Sequence, residues 1–192
     1  LSKLKLADEI VVILDKTTDN SKKIALNYTK KIFEGSWELE GKRRNFGLKK
    51  CLGDWILEID ADEHVPDILF LEIRDKIKNA EPGYFLIPFD NYVGGRKVTY
   101  GWGASWGVSA APRLSYKGYK KWNNSQRIHP SLILRGKKGF LKQRISHYVD
   151  KDINDMFERL KSYTEKRAID IIERKENIPP LWIIIRKGMT RF

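Results

Sequence analysis

Cysteine is nearly missing from this chain. Cys51 is the single one among 192 residues, beside only three histidines, and that scarcity excludes an intramolecular disulfide and a cysteine-rich zinc site. Such a composition suits a reducing compartment, so a cytoplasmic location is the expectation. Long apolar runs are missing as well. The two longest cover residues 10–14 and 181–185, far short of the roughly 20 residues that cross a bilayer as a helix. No internal repeat or low-complexity tract is present. Acidic residues all but vanish between 101 and 150, where Asp150 stands alone against ten lysines and arginines.

What remains is the composition of a folded domain. Hydrophobic residues make up 41% and charged residues 32%, enough apolar surface to build a core and therefore not a disordered chain. A length of 192 residues fits one domain with one sizeable core and excludes three or more. The formal net charge of +12 is unevenly spread: +5 over residues 1–50, −5 over 51–100, +9 over 101–150 and +3 over 151–192. A uniformly basic nucleic-acid binder has no use for an acidic block in its middle. An enzyme that holds a cation beside an anionic substrate does.

Residues 9–14, Glu-Ile-Val-Val-Ile-Leu, form a short β-branched run bounded by charge, the pattern of a strand buried on both faces. Turn and N-cap residues follow from Asp15 to Ser21, then Ile24, Ala25 and Tyr28 at helical spacing. A weaker strand is expected near 31–34, a helix over about 42–52 ended by Gly53, and a third strand over 55–59 that runs into Asp60-Ala-Asp62-Glu63. Pro66 opens a helix through about Asn79, with Leu69, Ile73 and Ile77 every four residues and Ile68 widening that face. This strand–helix alternation predicts a layered α/β domain with a mainly parallel sheet, whose ligands belong at strand C-termini. Between 84 and 150 the chain turns rich in Gly, Trp and Tyr, with β-like runs at 84–88, 132–134 and 144–148. From Asp152 to about Glu176, the spacing of Ile153, Met156, Phe157, Leu160, Ile169 and Ile172 predicts one long amphipathic helix, ended by Pro179-Pro180.

Asp60 and Asp62 lie where a strand emerges, and the two-residue period of a strand puts both carboxylates on one face. A hard divalent cation, Mg²⁺ or Mn²⁺, relieves their repulsion when held by one or two carboxylates and phosphate oxygens. A solvated acidic turn capping the next helix is the competing reading, and spacing alone favours it. His64 reads as a surface residue beside that turn, and Cys51, with no histidine near it in sequence, as packing.

The run Gly41-Lys-Arg43-Arg44-Asn45-Phe-Gly-Leu48, followed by Gly53-Asp54-Trp55 and Asp60-Ala-Asp62-Glu63, resembles the family 2 glycosyltransferases. More narrowly, it is similar to the branch containing bacterial lipopolysaccharide core glycosyltransferases. Asp15-x-x-Thr18-Asp19, Tyr92-Val-Gly-Gly-Arg96, Tyr100-Gly-Trp102, Arg113-Leu114, Ile128-His129 and His147-Tyr148 extend the resemblance over most of the chain. It implies a GT-A nucleotide-diphospho-sugar transferase fold, a Rossmann-like layered α/β/α structure. The implied reaction moves a sugar, with inversion, from a nucleotide-diphosphate donor to a hydroxyl acceptor in lipopolysaccharide or other envelope glycan synthesis. The resemblance assigns Asp15, Arg44, Asn45 and Asp60 to the donor, with Asp15 at the base, Arg44 near the diphosphate and Asp60 at the ribose. It also assigns Asp60, Asp62 and His147 to the metal, Asp62 being catalytic through it. Plainer readings stand beside these: Asp15 as a loop cap, Arg44 on a solvated helix face, His147 bonded within a strand.

The relatives carry a valine–histidine–glutamate motif whose histidine matches His129, but Pro130 stands where they have the glutamate. If that glutamate deprotonates the acceptor, Asp90 or His129 must substitute, and the residues alone do not choose between them. Trp102, Trp106 and Trp122 are candidates to stack on a sugar, although a tryptophan is more often a core residue. Residues 1–150 are expected to form the GT-A domain, 1–83 as the nucleotide-sugar half and 84–150 as the acceptor half, followed by a helical segment over 151–192. The stretch 182–187, with Arg191, points to peripheral attachment on the anionic cytoplasmic face of the inner membrane, unless it packs into the fold. The partners expected are a nucleotide sugar and a glycan or glycolipid acceptor. Nucleic acid is not, although residues 116–122 interleave aromatics and bases as a single-strand binder does. A GT-A-fold protein that binds without turnover is a further reading, with Pro130 as its motive. In the GT-A fold one more strand lies between those resembling 9–14 and 55–59. The chain is therefore expected to be an incomplete copy lacking that first strand, an internal fragment of a longer enzyme, with residues 9–14 left an open edge or a makeshift partner.

Overall fold

The opening strand β1 (Val12–Asp15) pairs in parallel with β2 (Ile32–Gly35), and the five-residue helix α1 (Ser21–Ala25) makes the crossover. The computed structural model describes residues 1–99, 109–125, 130–173, 175, 178 and 180–189; Tyr100, Trp102, Trp106, Ile128, His129 and Arg191 lie outside the described residues. Of β1 only Leu14 is buried, so the strand is not covered on both faces as its composition predicts. Helix α2 (Glu40–Lys50) lies over it, with Gly47 against Ile13, whereas α1 is too short to cover the rest and leaves Ile24 exposed. Helix α2 ends at Cys51 in an extended conformation, before Gly53 is reached.

The main sheet is built from β3 (Trp55–Leu57), β4 (Glu63–His64), β5 (Gly83–Val93), β6 (Arg96–Lys97), β7 (Ala110–Tyr116), β10 (Lys137–Phe140) and β11 (Ile145–Asp150). Its order is β3-β7-β5-β11-β4, with β10 and β6 also bonded to β5. It is mixed rather than mainly parallel: β5 runs parallel to β10 and β11, while β3–β7, β5–β7, β5–β6 and β4–β11 are antiparallel. The parallel expectation came from strand–helix alternation, and that alternation stops after α3 (Asp67–Ile77). A separate antiparallel pair joins β8 (Lys120–Trp122) to β9 (Leu132–Leu134). Among the described residues β1 bonds only β2 and β3 bonds only β7, so each keeps an open edge.

Strand β5 is eleven residues long, and Pro88 in its middle is what hides that length in the sequence. Its first part, Gly83 to Leu86, pairs with β10, and its last, Phe89 to Val93, with β11. Pro88 sits where the ladder changes partner, so its missing N–H is not needed there. Helix α3 packs Leu69, Phe70 and Ile73 on Val65, Ile87, Phe89, Leu114, Leu141 and Ile145. Ile68 is 55% exposed, a departure from the expected face, because the buried arc through 69, 70, 73 and 77 leaves it on the far side of the helix. Helices α4 (Ile153–Glu173) and α5 (Leu181–Met189) complete the chain. No helix among the described residues is long and apolar enough to cross a membrane.

Candidate active site

Strand β3 ends at Leu57, and the chain then passes through an extended Glu58–Asp60 stretch into a turn before β4. The strand alternation that would align Asp60 with Asp62 is therefore absent. The turn is locked by a reciprocal pair: the Asp60 amide donates to Glu63 Oε2 at 3.0 Å and the Glu63 amide to the Asp60 carbonyl at 3.1 Å. Its two aspartates face different partners.

Asp60 is bound by two arginines. Arg44 on α2 reaches both its oxygens at 3.1 Å, and Arg113 on β7 reaches Oδ2 at 2.7 Å. Burial opposes the charge of Asp60, but the Arg113 and Arg44 guanidiniums outweigh it and hold the carboxyl well below the usual carboxylate range. Arg113 also pairs with Glu63, whose side chain is fully enclosed, and Arg44 with Glu40 at 2.7 Å. Lys120 on β8, 6% exposed, pairs with Glu58 and donates to the Pro112 carbonyl at 2.7 Å; its burial lowers the ammonium pKa. Three cations, Arg44, Arg113 and Lys120, are thus matched to four carboxylates, Glu40, Glu58, Asp60 and Glu63. This floor carries no surplus positive charge for a diphosphate.

Trp122 ties the floor together. Its indole N–H donates to Glu58 Oε1 at 3.0 Å, while Arg44 and Lys120 lie 4.7 and 4.8 Å from its ring centroid. Asn45 clamps its backbone, accepting from the Trp122 amide at 2.9 Å and donating to its carbonyl at 2.7 Å. The Asn45 amide is therefore committed to β8. Gly41, one turn earlier, is required by the same docking: a Cβ there would lie 1.8 Å from the Asn123 carbonyl oxygen.

Asp62 faces outward from the turn, 38% exposed at its side chain, and its Oδ2 lies 3.5 Å from His147 Nε2 on β11. Burial pushes its carboxyl up, the adjacent His147 ring pulls it down further, and the net position is below the ordinary value. The other ring nitrogen of His147, Nδ1, is 3.0 Å from Asn91 Oδ1 on the paired strand β5. With Nδ1 engaged by Asn91, Nε2 is the ring nitrogen turned toward Asp62. Carboxylate oxygen and oriented imidazole nitrogen are a suitable donor pair for a divalent cation, with the exposed side left for water and phosphate oxygens. Among the described residues no third histidine, cysteine or acid joins them.

The remaining candidates fall elsewhere. Asp15, at the end of β1, accepts from the Trp37 amide at 3.1 Å and faces Arg43 at 3.5 Å, so it caps the loop after β2. Asp90 sits between Lys97 at 2.9 Å and Arg144 at 2.6 Å, and strand alternation puts it on the face of β5 opposite Asn91 and His147. His129, Trp102 and Trp106 lie outside the described residues. Sequence reasoning gave no role to Arg113, Lys120, Glu58 or Asn91. Arg113-Leu114 was visible as a motif, but nothing local marks the other three.

The sequence profile described as glycosyl transferase family 2 matches residues 1–139. The chain belongs to that family. Among curated relatives, family-like stretches of 73 residues match an uncharacterized glycosyltransferase of Rickettsia typhi at 30% identity and one of Rickettsia bellii at 34%, each over 38% of this chain and 24% of the relative. The match thus spans about a quarter of the length of those relatives. Among solved structures, S. aureus TarS 1–349 in complex with UDP superposes with a TM-score of 0.55 at 17% identity, over 89% of this chain and 60% of that one. TarS 1–349 alone gives 0.55 at 16% identity over 77% and 55%. These likenesses show the fold: a partial GT-A domain of family 2, with a mixed central sheet and flanking helices.

Proposed function

We propose that this family 2 chain carries the donor-side machinery of a metal-dependent glycosyltransferase, which moves a sugar from a nucleotide diphosphate to a hydroxyl acceptor. The observation that carries the reading is the pairing of a neutralised floor around Asp60 with an open Asp62–His147 edge. A leaving diphosphate brings negative charge that the floor does not offset, so the reading needs a cation at that edge. Asp62 and His147 would hold Mg²⁺ or Mn²⁺, which when bound acts as a Lewis acid on the diphosphate oxygens. That S. aureus TarS was crystallised with UDP supports a uridine or related nucleotide as carrier.

In the proposed reaction the acceptor oxygen attacks the anomeric carbon while the bond to the diphosphate oxygen breaks, inverting that carbon, and a base takes the hydroxyl proton. Asp90 is committed to Lys97 and Arg144 across the sheet, which favours His129 of the two candidates. The resemblance to the lipopolysaccharide core branch supports an envelope glycan or glycolipid as acceptor and a cytoplasmic site of action. The nucleic-acid reading loses one of its bases, because Lys120, in the middle of the basic aromatic run 116–122, is buried in an ion pair. The deciding experiment is a panel of nucleotide sugars with mass detection of transfer or hydrolysis, run with Mn²⁺ and with chelator. Turnover of no donor, or turnover equal under chelation, defeats the reading.

A further inference from the structure

We propose that α4 and α5 form a membrane-interface surface that sets the Asp62–His147 cleft beside an anionic bilayer. The sequence predicts α4 as amphipathic, and in an ordinary surface helix the apolar stripe turns inward. Here it turns outward. Ile153, Phe157 and Leu160, spaced four and three apart on one face, are 63%, 58% and 40% exposed, and Ile172 reaches 75%. The residues that hold the helix down are polar. Arg159 donates to the Val149 carbonyl and lies 3.0 Å from Asp150, and Asp170 is buried at 2% exposure. A helix that anchors by its polar side and offers its apolar side to the outside is arranged for an apolar surface beyond the domain.

The charge pattern chooses the occupant. In α5, Leu181, Trp182 and Ile185 are 71%, 63% and 53% exposed, and the Arg186 guanidinium stands 5.9 Å from the Trp182 ring centroid. No acidic residue follows Glu176, while Arg186, Lys187 and Arg191 do. Exposed Lys161 flanks the α4 stripe one turn from Phe157. A second copy docking here would bring two acid-free basic α5 segments together, which repel. An anionic lipid surface answers both halves of the pattern, with headgroups for the bases and the acyl boundary for Trp, Phe, Leu and Ile.

The surface is joined to the site through α4 itself. Arg159 fixes the helix to the end of β11, three residues after His147. Tyr163, one turn beyond Arg159 and 37% exposed, lies within electrostatic reach of Asp62, Asp150 and Glu40. Membrane contact on one side of α4 therefore fixes how the cleft on its other side meets the bilayer, where a lipid-linked acceptor would present its hydroxyl. Only this last step rests on the proposed transferase reading; lipid binding does not.

Sedimentation of the 192-residue chain with neutral phosphatidylcholine vesicles, and with vesicles carrying about 30% phosphatidylglycerol, tests the surface. Binding to the anionic vesicles at least about tenfold above the neutral ones is expected, together with a similar loss in Phe157→Glu/Leu160→Glu. Those side chains are exposed, so circular dichroism should show the fold intact. Asp62→Asn should sediment like the parent, which separates this proposal from the fate of the transferase reading. Equal binding to both vesicle types, unchanged binding by the double variant, or a discrete oligomer that the double variant dissolves into monomers would each overturn it.

Discussion

Two aspartates separated by one alanine end with different partners at nearly the same exposure. Asp60 belongs to a floor where α2, β3, β7 and β8 meet, its side chain 34% exposed and its charge matched by Arg44 at both oxygens and by Arg113 at one. Asp62 belongs to an edge made by β4, β5 and β11, where His147 is its ion-pair partner among the described residues and its side chain is 38% exposed. The floor gives each of its three cations to a carboxylate, whereas the edge sets one carboxylate beside one imidazole. The difference teaches what an acidic motif cannot: one carboxylate is held by two arginines of the frame, while the other is held by none.

The sharpest way to break the floor is Arg113→Met. Glu63, with no exposed side-chain surface, then loses its ion-pair partner and Asp60 one of its two arginines. Leaving such charges buried and unmatched costs about 3–5 kcal/mol, so the urea midpoint should fall steeply and transfer with it. A midpoint unchanged from the parent would show that water reaches the floor freely. At the edge the pattern should reverse. Asp62→Asn removes a solvent-facing ligand without opening a cavity, so stability should shift by no more than about 0.5 kcal/mol. Metal-dependent transfer should fall at least about a hundredfold. Full turnover at saturating Mn²⁺ would make Asp62 a bystander.

How much of this contrast is legible in the sequence depends on how far apart the partners lie. Asp60, Asp62 and Arg44 are visible because one motif carries them. Arg113 and Lys120 meet their carboxylates across more than fifty residues, and no local period encodes such a pairing. Trp122 reads from sequence as a sugar platform, yet its ring is taken by two cations and Glu58. Periodicity recovers the length of α4 and fails on its direction, since a stripe of apolar residues does not say which way it faces. The mixed sheet was missed for a related reason: β5 changes partner at Pro88, and a strand with two parallel neighbours on different segments leaves no mark in composition.

A smaller disturbance tests how the floor is seated. Gly41→Ala sets a methyl group against the Asn123 carbonyl, 1.8 Å from where the new carbon must lie. Helix α2 must shift away from β8, loosening the Asn45 clamp on Trp122. The expected cost is about 1–3 kcal/mol, with a change in Trp fluorescence. Asp62 and His147, which α2 does not hold, should keep their metal affinity, as titration with Mn²⁺ would show. Parallel losses in both would mean that floor and edge are one cooperative unit.

Glu9 supplies a second well-paired carboxylate, one whose cation is exposed. Like Asp60 it is well partnered: Lys31 donates to one oxygen, and the amides of Leu52 and Gly53 donate to the other at 2.8 and 3.4 Å. Its side chain is 18% exposed and that of Lys31 44%. It clips the residues before β1 to the loop before β3 and so spans the two sheets. Burial is the largest single influence and raises its carboxyl, but the Lys31 ammonium and the two amides together outweigh it, and the net position is below the ordinary value of 4.5. A depressed folded-state pKa stabilises above the unfolded value and loses that contribution as pH falls through the folded one. The parent should therefore shed the clip below about pH 4.5, by well under 1 kcal/mol because an exposed pair is screened. Glu9→Gln should be weaker than the parent at pH 7 and nearly equal to it near pH 3, measured by urea unfolding at both. If the two chains instead differ by the same amount at both pH values, the clip acts through packing alone, and the large effect predicted for Arg113 follows from burial together with charge.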